Sequence, residues 1–211
     1  MGVVTAPTGG FPVSGSGPLT VRDLEGMPDD GRRYELIDGM LIVSPAPGTR
    51  HQKIAYRLYG VLEPACPPEF EVMGAPYAVH RGEYIELQPD VLVGRCEDFT
   101  EKDLPAPPVL VVEVLSPSTA LNDLNTKKAA YERLGVQSYW VIDPEQVELT
   151  VFELRAGRYT ETASVTGSDV YDAALPFPVR IVPVELLGRF ACHQSGSSGP
   201  SFSPRLLGRG G

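Results

Sequence analysis

The chain has 211 residues, 42% hydrophobic, 21% charged and 8% aromatic, which suits one globular domain with tails better than two domains. Twenty-seven acidic against 18 basic residues give a formal charge of −9, which excludes a surface coated with DNA-binding charge. No apolar run approaches the ~20 residues of a membrane span and no signal-peptide pattern opens the chain, so a cytoplasmic protein is expected.

Residues 1–19 are rich in Gly, Pro, Ser and Thr and read as a flexible tail, as do residues 191–211. Between them a domain is expected over residues 20–190, about 171 residues, large enough to bury about 70% of its unfolded surface. Tyr34 to Ile37 and Met40 to Val43, joined by Asp38-Gly39, predict a hairpin with a tight two-residue turn. Thr49 and Gln52 have the spacing of a capping box, and Ile54, Leu58, Val61 and Leu62 then recur at helical spacing until Pro64. Short strands are predicted at Glu71–Met73, Tyr77–Val79, Tyr84–Leu87 and Asp90–Val93, followed by a polar, proline-rich connection over 95–108. Val109–Leu115 is nearly all aliphatic, which implies a strand covered on both faces. Ser116–Thr119 caps a helix running to Leu134 and closing at Gly135. A strand at Ser138–Ile142 makes a strand–helix–strand unit, and Val147–Leu154 with Arg158–Ser164 closes the domain as an antiparallel pair. The sum is an α/β or α+β domain, a mixed sheet with helices on its faces.

Several residues sit where their chemistry needs a reason. Glu113 interrupts an otherwise apolar strand, so its carboxylate must meet a metal ion, an Arg or a Lys, in a functional site or a structural ion pair. Lys127 shares a helix face with Ala120, Leu124, Tyr131 and Leu134, so it points inward; Asp123, four residues earlier, offers a local partner. Asp90 begins a strand after Pro89, a place where a turn residue is equally at home. Glu35 shares a hairpin face with Ile37, and His51 lies on the inward side of its helix, where a buried structural histidine is the plainer reading. Arg32, Arg33, Arg50, Lys53 and Arg57 could line a cleft or simply form solvated surface. Cys66, Cys96 and Cys192 are scattered, as are His51, His80 and His193, which argues for free thiols and against zinc.

Taken together, these segments resemble the Uma-two family of restriction-endonuclease-like proteins, within the PD-(D/E)XK nuclease superfamily. The resemblance is carried by Arg33–Gly39, Ser44-Pro45 with His51-Gln52, Gln88–Val91, Val112–Thr119, Asp123–Lys127 with Tyr131, and Gly135-Val136 with Tyr139-Trp140. It implies a restriction-endonuclease-like mixed sheet flanked by helices, in which Asp90 and Glu113 hold a divalent ion. Leu115 stands where the superfamily pattern places a lysine, and the inward-facing Lys127 takes that part from the following helix. Glu35 would be a further acid at the metal, and His51 a residue flanking it. Hard oxygen ligands favour Mg2+ or Mn2+. The expected function is therefore a Mg2+-dependent endonuclease acting on DNA, with catalytic residues Asp90, Glu113, Lys127, Glu35 and His51. A homodimer would join two such clefts. Two other readings stay open at this point, a non-enzymatic binding or regulatory module on the same fold, and a hydrolase of another phosphoester.

Overall fold

The computed structural model describes residues 17–116 and 122–189. Nearly all of both expected tails, the expected cap at Ser118, Ala120, and the side chains of Asp123 and Leu124 lie outside the described residues and side chains.

After one helical turn, α1 (Val21–Leu24), the chain forms the expected hairpin of β1 (Arg33–Ile37) and β2 (Met40–Ser44). Asp38 and Gly39 take φ values of 50° and 76°, which close the two-residue turn with the twist that antiparallel strands need. Helix α2 (Thr49–Leu62) starts differently from the expectation, because its N-cap is Gly48, extended at φ −71° and ψ 165°. Thr49 is already helical, and a residue inside the first turn cannot aim its hydroxyl at the next amides as a cap does. Ile54, Leu58 and Leu62 face inward as expected, whereas Val61 turns outward because it breaks their four-residue step.

Strands β3 (Phe70–Gly74), β4 (Ala78–Arg81), β5 (Ile85–Leu87) and β6 (Val91–Arg95) follow. The connection expected to be irregular contains a short strand, β7 (Asp103–Leu104), which pairs parallel with β4. That pairing is tertiary in origin, for the segment has no strand pattern of its own. Strand β8 (Leu110–Val114) is buried at every position, as its aliphatic run requires. A π-helical stretch, Asn122–Lys127, leads into α3 (Lys128–Leu134), which stops at Gly135 with φ 85°. Strand β9 (Ser138–Asp143) lies parallel to β8 and completes the expected crossover unit. Strands β10 (Glu148–Arg155) and β11 (Arg158–Thr166) form the closing antiparallel pair. Three short elements with no strong pattern end the described chain, β12 (Tyr171–Ala173), β13 (Val179–Ile181) and α4 (Pro183–Leu187).

The fold is mixed α+β, built on a six-stranded sheet of order β11-β10-β9-β8-β6-β3 and a five-stranded sheet of order β2-β1-β5-β4-β7. One face of the six-stranded sheet carries Val91, Val93, Val112 and Val114 and packs on Leu58, Leu62, Ile181 and Leu186 from α2 and the C-terminal segment. The other face carries Leu92 and Val111 and packs on Ala130 and Tyr131 of α3 and on Ile37 and Leu87 of the five-stranded sheet. Strand alternation puts Glu113 on this second face with Val111, so α3 and β1 are the elements able to answer its charge. Among the described residues, no helix is long and apolar enough to cross a membrane.

Leu58 is fully buried between α2 and the sheet. Leu58→Ala should therefore cost about 2–5 kcal/mol in urea unfolding, whereas Lys53→Ala on the exposed side of the same helix should stay within about 0.5 kcal/mol. Equal effects would contradict the inward face assigned to α2.

Candidate active site

The five residues singled out in the sequence converge where β1, β6, β8, α2 and α3 meet. Glu35 and Glu113 come from β1 and β8 on facing sheets, and Lys127 at the head of α3 lies between them. Its Nζ is 2.9 Å from Glu35 Oε2 and 3.2 Å from Glu113 Oε1. The contact to Glu35 has ion-pair distance without hydrogen-bond alignment, since Oε2 accepts no hydrogen bond. Glu35 Oε1 accepts a hydrogen bond from the Gln88 backbone amide at 2.8 Å, which ties β1 to the segment that delivers Asp90. On Glu113, the Tyr131 hydroxyl donates to Oε1 at 2.7 Å. Burial, then the charges of Glu113 and Glu35, hold the Tyr131 phenol well above its ordinary pKa, so it remains a donor.

Asp90 is 3% exposed and sits just ahead of β6. Its Oδ1 accepts from both terminal nitrogens of Arg33, at 3.0 and 3.1 Å. Its Oδ2 accepts from the Val114 amide at 2.8 Å and lies 3.0 Å from His51 Nε2. The Val114 contact makes the end of β8 a direct support for Asp90, so the two acids are fixed relative to each other through backbone. Burial alone would raise the Asp90 pKa; hydrogen bonding and charge from His51, the Arg33 guanidinium and the Val114 amide outweigh it, and the carboxyl titrates below its ordinary value. Burial likewise works against the Arg33 charge, and Asp90, Glu113 and Glu35 more than offset that, raising its pKa. His51 Nδ1 is buried without a hydrogen-bond partner.

The site therefore sets three carboxylates, Glu35, Asp90 and Glu113, against two fixed cations, Arg33 and Lys127, with His51 adding a third when protonated. Between them lies a cavity of about 90 Å³, walled by Arg33, His51, Asp90, Glu113, Ser116 and Lys127 among others. Glu35 is fully buried and does not line it.

Asp90 and Glu113 are the carboxylates that could hold a metal ion there. Mg2+ keeps several of its waters and takes one or two protein carboxylates, completing its shell with phosphate oxygens. Two hard oxygen donors on a small cavity fit that habit, as they fit Mn2+. Among the described residues, no three His, Cys, Asp or Glu side chains are grouped so as to hold a metal ion, so Glu35, expected as a further acid at the metal, does not join Asp90 and Glu113 there.

Residues 21–185, well over half of the chain, match the Uma2 family model, described as "Putative restriction endonuclease". The chain belongs to the Uma2 family. The match spans every stretch on which the resemblance was read, from Arg33 to Trp140. A crystal structure from Anabaena variabilis, described as a "putative nuclease belonging to DUF820", has the same fold. The two share 20% identity and a TM-score of 0.63, over 81% of this chain and 98% of the other. No curated protein matches the chain.

Two members of the cluster in this Uma2 chain carry no site role in the sequence reading. Arg33 is one of five basic residues that could line a cleft or form solvated surface, and its hydrogen bonds to Asp90 and to the Gln88 carbonyl turn it to the cleft. Tyr131 counted as part of an apolar helix face, although its four-residue step from Lys127 already put its hydroxyl near whatever the lysine met.

A carboxylate whose pKa falls on folding stabilises the protein above its unfolded value, near 3.9, and loses that contribution as the pH drops through the lowered folded value. Asp90→Asn should accordingly be less stable than wild type at about pH 7, with the gap narrowing below about pH 4. Urea midpoints across that range check this, and a gap that ignores pH would contradict the pairing of Asp90 with Arg33 and His51.

Proposed function

We propose that this chain is a divalent-ion-dependent nuclease that hydrolyses DNA phosphodiester bonds at the cavity between Asp90 and Glu113. The observation that carries the reading is the pair of carboxylates at neighbouring strands, Asp90 just ahead of β6 and Glu113 on β8, joined by the Val114 amide, with an inward lysine on the same cavity. When bound by Asp90 and Glu113, Mg2+ or Mn2+ would supply a Lewis acid for the scissile phosphate and an acidified water. Lys127 presents its ammonium to the cavity, where it positions the attacking water and offsets charge developing on the phosphoryl oxygens. Glu35 acts through Lys127 as a positioning residue, fixing the ammonium from behind. Arg33 reaches the cavity wall with a fork of donors suited to a phosphate oxygen, and it orients Asp90 from the other side. His51, on the same cavity wall, orients Asp90 through its Nε2, 3.0 Å from Oδ2.

One observation favours the non-enzymatic alternative, namely that Lys127, Arg33 and His51 already compensate the acids from within the chain. Buried ion pairs, however, are poor sources of stability, because desolvation consumes most of the Coulomb gain. A network of this size on a cavity therefore serves the fold little and suits a reaction centre better.

The test is cleavage of circular single-stranded DNA and supercoiled duplex with Mg2+ or Mn2+. Wild type should nick or linearise at least one of them, Asp90→Ala and Glu113→Ala should be inactive, and Lys127→Ala should lose about 10²–10³-fold in rate. Activity that survives Asp90→Ala, or a wild type inert with every divalent ion, would overturn the proposal.

A further inference from the structure

A second cavity, of about 270 Å³, adjoins the first and shares Arg33, Pro47, His51 and Asp90 with it. Apart from Arg33, His51 and Asp90, its wall is uncharged, built from small and apolar residues together with Gln52 and two tyrosines of α2. Such a lining does not suit another phosphate. It suits a flat, mostly neutral group attached to the phosphate held next door.

Tyr59 and Tyr56 are three residues apart on α2 and so are neighbours on its surface. Their settings differ. Tyr59 packs against the core and is a fixed part of the wall. Tyr56 is 64% exposed beside the cavity, an aromatic ring in water with no packing reason to be there. Gln52, one turn earlier, brings an amide with both a donor and an acceptor. An exposed ring for stacking and an amide for an edge are the two elements by which proteins read unstacked bases.

Charge points the same way. Of the Arg and Lys residues on α2, Arg50 is tied to Glu145 and Arg57 to the Glu185 carbonyl, and Lys53 by itself does not make a continuous basic track for a duplex. With a formal charge of −9, the chain cannot lean on phosphate contacts alone. Base stacking supplies affinity without them and tolerates any sequence.

We propose that the larger cavity is a nucleobase pocket, in which a base unstacked from its neighbours lies on Tyr56 while its own phosphate occupies the Asp90–Glu113 cavity. The inference rests on the nuclease reading and deepens it, making single-stranded or locally unstacked DNA the substrate form.

The experiment compares a fluorescein-labelled short oligo(dT) with an oligomer of equal length built from tetrahydrofuran abasic sites, which keeps the phosphates and removes the bases. Binding is followed by anisotropy with the full chain and Ca2+. Wild type should bind oligo(dT) about tenfold or more tightly than the abasic strand. Tyr56→Ala should bring that ratio close to one, and Tyr56→Trp should restore it. Because Tyr56 is largely exposed, neither change threatens the fold. A wild-type ratio near one, or a preference that survives Tyr56→Ala, overturns the pocket. The same strands with Mg2+ separate the two readings. Cleavage without base preference sinks the pocket and leaves the nuclease. Base preference without cleavage of these strands or of supercoiled duplex under any divalent ion leaves the pocket and sinks the nuclease. Binding of neither strand sinks the pocket, and the nuclease with it only if supercoiled duplex is also left intact.

Discussion

Everything at the centre of this molecule follows from the cost of keeping three carboxylates out of water. Glu35, Asp90 and Glu113 are each 3% exposed or less. An isolated buried carboxylate is unaffordable, and removing one partner of a buried pair typically costs about 3–5 kcal/mol. Each acid therefore dictates where a cation must sit. Glu113 and Glu35 require Lys127 at the head of α3, and Asp90 requires Arg33 from β1 and His51 from α2. Two sheets and two helices are in this way drawn to a single point.

The topology makes that convergence possible. Strand β8 lies between antiparallel β6 and parallel β9, so both Asp90 and Glu113 sit next to the same strand end. The crossover from β8 to β9 lays α3 over the face that carries Glu113, which brings Lys127 and Tyr131 to one carboxylate oxygen. Helix α2 covers the opposite face, and the start of that helix reaches past the sheet end to present His51. The five-stranded sheet adds Glu35 and Arg33 from one short strand, their side chains answering opposite charges.

Much of this was legible because local chemistry forces it. Asp38-Gly39 could only be a tight turn, Glu113 stood out in a strand otherwise aliphatic, and the four-residue step from Lys127 to Tyr131 put the lysine on the inward face. What stayed hidden depends on contacts between distant segments. Arg33 meets Asp90 across 57 residues of sequence, and the Val114 amide meets it across 24. The β4–β7 pairing and the short C-terminal elements are likewise tertiary in origin. The start of α2 was misjudged by one residue, since a Thr with a Gln three positions on looks the same whether it caps a helix or opens one.

The central claim is that Asp90 and Glu113 form a place for a divalent ion. Paramagnetic broadening of backbone amide NMR signals by Mn2+ tests it directly, since no substrate has to be guessed. Signals from Val91, Val114 and His51 should broaden first, and Glu113→Gln should abolish the effect. Broadening centred instead on the acidic surface around Glu25, Glu86 and Asp103, and indifferent to Glu113→Gln, would contradict the account.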